Sequence, residues 1–155
     1  MTDYTVHMAS GGVARWGNPV PTANGDAWFN YETMGTVKLA FEGAGTHFLN
    51  ALITGLDRIT PEGVVPEGFG HVQMQDIEGD TLFGRVTWFM EGEVDKGRFD
   101  FSGGTGKFAD ASGSITAVLT GLPANLAAPF PPSGPMEFTG FTEGTGTLTA
   151  PRLAG

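Results

Sequence analysis

The chain has 155 residues, 40% of them hydrophobic, which is enough for one globular domain with a sizeable core. Its formal net charge of −9 repels phosphate groups and therefore argues against nucleic-acid and anionic-membrane partners. The lack of cysteine excludes disulfides, thiolate metal sites and cysteine nucleophiles. Residues 1–10 are polar and do not resemble a signal peptide, so we expect a soluble cytoplasmic protein without a membrane segment.

The glycine and proline content indicates where strands are expected and where two capping loops are expected. The 25 glycines and 10 prolines indicate many tight turns between short strands. Alternating apolar and polar residues predict a first strand over residues 2–9. Residues 11–35 show no clear period and contain several turn dipeptides, so we predict a capping loop there. A second capping loop is predicted over residues 123–135, which are rich in proline and alanine.

The rest of the chain reads as a series of strands joined by short turns. Alternation predicts strands over 36–42, 46–58, 70–78, 81–92, 98–101, 106–109, 114–122 and 137–148. About eight strands with almost no helix signal favour a closed antiparallel β-barrel, because closure leaves no exposed strand edge. We therefore predict an all-β single domain over residues 1–155, with a central hydrophobic cavity that holds one small ligand.

The most distinctive run is Gly-Arg-Phe-Asp-Phe-Ser-Gly-Gly-Thr-Gly-Lys-Phe-Ala-Asp-Ala-Ser-Gly-Ser at residues 97–114. It resembles a turn–strand–turn segment of the allene oxide cyclase-like and dirigent-like barrel superfamily, in which glycine turns flank one buried phenylalanine, here Phe108. The resemblance implies an eight-stranded barrel with an apolar cavity. It also implies binding of hydrophobic small molecules and, in several members, cyclisation without a cofactor.

Metal and nucleotide sites are not expected. His7, His47 and His71 are isolated, and Gln73 stands where a second strand ligand would follow His71. Gly106-Lys107 is followed by Phe108 instead of the hydroxyl residue of a phosphate loop. We therefore predict no metal and no cofactor.

Two faces of the strand over residues 81–92 lead to different predictions. If its apolar face turns inward, Trp88 and Met90 line the cavity, and Arg85 and Glu91 are a solvated pair. If its polar face turns inward, Arg85, Glu91 and His71 of the preceding strand form a polar cluster in the pocket. Such a cluster could transfer protons or stabilise an oxyanion. The sequence does not decide between these alternatives.

Other residues complete the predicted site. Tyr31 and Glu32 end the first predicted capping loop, where Glu32 could act as a base and Tyr31 as a hydrogen-bond donor; a strand start with an exposed Glu32 and a buried Tyr31 is the alternative. We expect the remaining substrate-binding surface to consist of Phe48, Trp28 and Phe89.

Together with these candidate residues, the resemblance favours a cofactor-independent cyclase or isomerase that acts on a hydrophobic molecule, polyketide-like or oxylipin-like and possibly bearing an epoxide. Confinement in the cavity would lower the entropic cost of ring closure. The alternative is a non-catalytic carrier of a similar ligand, which needs no polar group in its cavity. An ionisable group with a partner inside the cavity would favour the enzyme. The resemblance also implies a homodimer or homotrimer, and the apolar residues on both faces of residues 81–92 agree with that expectation.

Overall fold

The computed structural model describes residues 3–123, 130 and 132–153. Within these described residues, alternating residues with glycine-rich turns form nine strands and a single turn of 3₁₀ helix at Gly106–Phe108. The strands are β1 (Asp3–Trp16), β2 (Val20–Pro21), β3 (Ala27–Phe41), β4 (Gly45–Ile59), β5 (Glu67–Asp76), β6 (Thr81–Glu91), β7 (Val94–Gly104), β8 (Ser112–Pro123) and β9 (Met136–Thr149).

Eight of the strands close into an antiparallel barrel, which confirms the predicted fold class. From β3 to β9 each strand pairs with its neighbour in sequence, and β1 pairs with both β3 and β9 to close the ring. The short β2 pairs only with β3 and lies outside the ring. Closure gives every long strand two partners, so backbone hydrogen bonds are satisfied around the whole wall.

The capping loop predicted over residues 11–35 is wrong. β1 continues to Trp16 and β3 begins at Ala27, so most of this segment is barrel wall. The glycines that suggested turns face each other across the β1–β3 ladder, where Gly12 is paired with Gly35. A methyl group added at Gly12 would come within 2.3 Å of the Met34 carbonyl oxygen, so close approach of two strands explains these glycines.

The second predicted capping loop, 123–135, is only partly described. Pro123 is the last residue of β8, and residues 124–129 and 131 lie outside the described residues. Phe130 and residues 132–135 precede β9. None of the described residues forms a helix long and apolar enough to cross a membrane.

One end of the barrel is filled by side chains. This closed end contains the β3–β4, β5–β6 and β7–β8 connections, and its fully buried side chains include Leu39, Leu82, Phe108, Ile115 and Leu148. The 97–114 segment lies here, and the buried Phe108 confirms the expected anchor. Gly106 adopts a φ of +54°, which a side chain disfavours, as the turn interpretation requires.

Lys107 joins two turns of the closed end. Its Nζ lies 2.7 Å from Asp76 Oδ2 and 2.5 Å from Glu78 Oε2. The backbone N–H of Lys107 donates to Asp80 Oδ2 at 3.1 Å. Among the described residues, these three carboxylates are the one group with metal-ligand spacing, and the Lys107 ammonium already neutralises part of their charge. We therefore interpret them as an ion-pair cluster that fastens the β5–β6 turn to the 3₁₀ turn.

Candidate functional site

A cavity of about 360 Å³ lies in the opposite half of the barrel, which we call the open end. Its wall comes from the C-terminal half of β1, the N-terminal half of β3 and the adjoining parts of β4 to β9. Antiparallel order brings these segments to the same end. Val64 and Val65 of the β4–β5 link and Phe130 before β9 also line the cavity. The volume is within the range of small-molecule sites.

The apolar face of β6 turns toward this cavity. Val86 and Trp88 are buried, and Trp88 and Met90 lie on the cavity wall. Arg85 is exposed on the outer face, where it is paired in register with the exposed His71. This arrangement avoids burying a guanidinium group without a partner.

The predicted polar cluster is therefore wrong as a cavity site. Arg85, His71 and Glu91 all lie on the outside of the barrel. Glu91 accepts a hydrogen bond from Lys96 instead of pairing with Arg85. A ligand inside the cavity would touch none of these three side chains.

Four further predicted site residues also lie outside the cavity. Glu32 is exposed on the outer face of β3, and Phe48 is 70% exposed on the outer face of β4. Trp28 pairs with Val20 of the outside strand, and Phe89 lies on the outer face of β6. Strands β3, β4 and β6 carry large apolar residues on both faces, so hydrophobicity alone suggested the wrong side for Phe48 and Phe89.

Tyr31 is the predicted catalytic residue that the fold does place on the cavity wall. It is buried, and its hydroxyl accepts a hydrogen bond of 2.9 Å from the Trp88 indole N–H. A methyl group added at Gly70 would approach the Tyr31 hydroxyl to 2.4 Å, and one at Gly97 would approach the Trp88 ring to 2.4 Å. Two inward-facing glycines thus make room for this buried pair, which holds both aromatic rings in place.

Asp57 is the central residue that sequence reasoning missed. It is 8% exposed, lines the cavity and has no hydrogen-bond partner for its buried Oδ1 among the described residues. A methyl group added at Gly68 would come within 2.0 Å of this oxygen, so Gly68 provides its space. Gly68 and Gly70 lie about 7 Å apart on the same face of β5. Because Gly68 lies against Asp57 and Gly70 lies against Tyr31, these two side chains are close to each other.

Burial raises the pKa of Asp57 to about 7, because the apolar surroundings disfavour the carboxylate. The Trp16 indole lowers this pKa in part by interacting with the charged form, and the negative charge of Asp95 raises it. Burial and the charge of Asp57 together raise the pKa of Tyr31, so Tyr31 remains a neutral phenol. Asp57 can therefore hold a transferable proton near neutral pH.

Asp95 is a second acid on the cavity wall. It lies near the start of β7, opposite Met90 of β6, and is half-buried. Desolvation raises its pKa to about 6. The cavity therefore contains two carboxyl groups whose pKa values burial raises, and such groups can act as proton donor and proton acceptor.

A signal for Asp57 does exist in the sequence. The inward residues of β4 at positions 51 to 59 are Ala51, Ile53, Gly55, Asp57 and Ile59. Small residues at two of these positions leave space beside an acid on an otherwise apolar face. The outer face offers Phe48, Leu52 and Leu56, which look equally suited to a core, so alternation could not identify the face that carries Asp57.

Comparisons of the chain with family models, curated proteins and solved structures find no match. The fold and the site nevertheless define a structural class: an eight-stranded up-and-down barrel with a largely apolar cavity, whose wall includes a buried carboxyl group. Membership of the allene oxide cyclase-like superfamily stays a prediction from residues 97–114.

Proposed function

We propose that the protein is a cofactor-independent isomerase that closes a ring in a hydrophobic small molecule, with Asp57 as the proton donor. The observation that carries this proposal is the carboxyl group of Asp57, 8% exposed, on the wall of a largely apolar cavity. A cavity for simple storage of an apolar ligand has no need of a buried acid, which destabilises the fold when it ionises.

The proposed step converts an unsaturated epoxide into a cyclic alcohol. The Asp57 carboxyl proton moves to the epoxide oxygen, one C–O bond breaks, and its electron pair stays on the oxygen as a hydroxyl group. A double bond of the same molecule attacks the electron-poor carbon and forms the ring. The resulting cation loses a proton to the Asp57 carboxylate, which regenerates the acid. No atom is gained or lost overall, so no oxidant or reductant is required.

Confinement supplies a second contribution to the rate. Ring closure requires a flexible chain to fold back on itself, and a cavity of about 360 Å³ leaves it few other conformations. Tyr31 and Trp88 act as positioning residues, since their buried hydrogen bond fixes two rings of the wall. The Tyr31 hydroxyl can also donate its own proton toward a substrate oxygen.

The carrier hypothesis uses the same cavity and predicts binding without conversion. Turnover of an apolar epoxide therefore discriminates between the two functions.

The cytoplasmic location and the homodimer or homotrimer also stay proposals. The exposed apolar side chains of β3 to β6, including Met34, Phe48, Leu52, Phe69 and Phe83, support self-association.

The test is incubation with a set of alkenyl epoxides of about ten to fifteen carbon atoms, a size suited to a small ligand pocket. Liquid chromatography with mass detection should show a product of unchanged mass and new retention time. Asp57→Asn should lower the rate by about 10²–10⁴-fold, the usual contribution of a general acid. Glu32→Gln removes a carboxylate from the outer face of neighbouring β3 and should leave the rate unchanged. Binding of the epoxides without conversion by the unmodified protein would favour the carrier.

A further inference from the structure

We propose that the cavity is selective for positive charge: it takes a neutral hydrophobic substrate whose reaction develops a cation, binds hydrophobic ammonium ions tightly and rejects anions. This inference rests on the proposed function for the cationic step. The charge selectivity itself follows from the composition of the wall and applies to any ligand that enters the cavity.

The ionic side chains of the cavity wall are all acidic. Asp57 and Asp95 line the cavity, and no lysine, arginine or histidine does so among residues 3–123, 130 and 132–153. The remaining positions of the chain contain no lysine, arginine or histidine in the sequence. An anionic ligand would therefore enter an apolar space that holds two carboxyl groups and no compensating cation.

The basic residues that follow the two cavity acids in sequence are directed to the outer face. Arg58 follows Asp57 in sequence, but its guanidinium group pairs with Asp26 at 2.5 Å and Glu67 at 3.1 Å. Lys96 follows Asp95 and pairs with Glu91. Strand alternation forces this result, since adjacent residues point to opposite faces.

Arg15 shows the same pattern beside Trp16. Its Nε lies 2.8 Å from Glu137 Oε1 on the outer face, whereas Trp16 turns inward. The cationic groups next to the cavity are thus separated from it by the barrel wall and are already partnered by carboxylates. They offer little attraction to an anion inside the barrel.

Aromatic rings surround the same space. Trp16 packs against Phe138 with ring centroids 4.5 Å apart, and Trp88 lies 5.7 Å from Phe99. All four rings line the cavity. The faces of aromatic rings attract cations, most strongly when water is excluded. Carboxylates and aromatic faces together stabilise a developing carbocation or a bound ammonium group.

This wall restricts the substrate class. A fatty-acid-like substrate could place its hydrocarbon in the cavity only with its carboxylate left outside the opening, because burial of an unpaired anion is strongly unfavourable. A neutral epoxide or polyene fits entirely within. An amine of similar shape would resemble the cationic state of the reaction and should bind more tightly than its neutral counterpart.

The test uses three compounds with one skeleton: 4-phenylbutylamine, 4-phenylbutan-1-ol and 4-phenylbutanoate. Affinities are measured by isothermal titration calorimetry at pH 8, above the Asp57 pKa of about 7 and below that of an alkylamine. We expect the amine to bind about tenfold to a hundredfold more tightly than the alcohol, as for a hydrogen bond to a buried charge. The carboxylate should bind at least about tenfold more weakly than the alcohol.

Variants locate the source of the preference. Asp57→Asn should reduce the amine affinity at least about tenfold while the alcohol affinity changes little. Glu32→Gln makes the same charge change on the outer face of β3 and should keep the full preference. Circular dichroism of each variant checks that the barrel is intact.

Equal affinity for the amine and the alcohol, or a carboxylate that binds as well as the amine, would overturn the charge selectivity. Failure of all three compounds to bind would overturn it as well. A different result would contradict the proposed isomerase function. A protein that converts a neutral epoxide but shows no amine preference contradicts only this inference, whereas one that prefers the amine but converts nothing contradicts only the isomerase.

Discussion

The closed and open ends of the barrel are built from the same strands but serve different purposes. At the closed end, inward strand positions carry large, fully buried side chains such as Leu39 and Leu82, and Phe108 of the 3₁₀ turn adds a buried ring. At the open end, inward positions include Gly12 and Gly35, and a cavity remains. The difference shows that residue size along one inward-facing row is enough to divide a barrel into a core and a pocket.

The two ends also differ in whether their buried or clustered acidic side chains have basic partners. Three acids of the closed end, Asp76 among them, are paired with the Lys107 ammonium. Asp57 at the open end is buried with no basic partner on the cavity wall among the described residues. Charge is therefore neutralised where the fold is stabilised, and it is left uncompensated where a ligand would bind.

Truncation of Phe108 to alanine should give the greatest loss of stability. The ring is fully buried in the filled end, so the variant should lose about 3–5 kcal/mol in the free energy of unfolding. Urea denaturation measures the change. Phe138→Ala is the matched change at the open end, where the ring is half-buried beside an existing cavity. It should cost less than about 2 kcal/mol. Equal losses of unfolding free energy in the two variants would contradict the distinction between a filled closed end and an open end with a cavity.

Gly68→Ala should disturb the site with a smaller effect on stability. The added methyl group would meet Asp57 Oδ1 at 2.0 Å and must displace the carboxyl group, at a cost of about 1–3 kcal/mol. The rate at which this variant converts an epoxide substrate should also fall. Gly121→Ala, a change at a glycine of the cavity wall, adds a methyl group with no atom within 4 Å and should change stability little. A Gly68→Ala protein with unchanged turnover would contradict the assigned position of Asp57.

Arg85→Ala and His71→Ala should have the smallest effect. Both side chains lie on the outer face of the barrel, so ligand binding should be unchanged and stability should shift by no more than about 0.5 kcal/mol. Calorimetric titration of 4-phenylbutylamine into each variant tests this prediction. A tenfold loss of affinity in either variant would show that the outer face contributes to the site.

Much of the fold could be predicted because local signals agreed with each other. Alternation and glycine turns identified most strands, and Phe108 was correctly predicted to be buried. The short strand predicted over residues 106–109 is wrong, because Gly106–Phe108 form a 3₁₀ turn. The segment 11–35 was misread because its glycines serve close strand packing, a feature that depends on the partner strand and not on local sequence.

The site was less predictable because it depends on which face of each strand turns inward. Tyr31, Trp88 and Met90 were named from the sequence and line the cavity. Arg85 and Glu32 were named for their chemistry and lie outside. Asp57 was not named, since its importance comes from burial in the folded barrel, and burial is a tertiary property.

The raised pKa of Asp57 has a defined consequence for stability. Its pKa rises from 3.8 to about 7 on folding, so the folded state binds this proton more tightly. The stabilisation is complete below the unfolded pKa and is lost as the pH rises toward the folded pKa. Asp57→Asn removes this penalty, so the variant should be more stable than the unmodified protein by about 2–4 kcal/mol at pH 8, with the difference shrinking as the pH falls to 4.

The most direct measurement is the titration of the Asp57 side-chain carboxyl carbon by NMR, assigned by its absence in the Asp57→Asn protein. Asp95 lies on the same cavity wall, so the titration is repeated in Asp95→Asn to separate the signals of the Asp57 and Asp95 carboxyl groups. A midpoint near 7 in the unmodified protein is the predicted result and supports a buried acid ready to donate a proton. A midpoint near the ordinary value of 3.8 would mean that the carboxyl group is solvated, and it would contradict Asp57 as the proton donor.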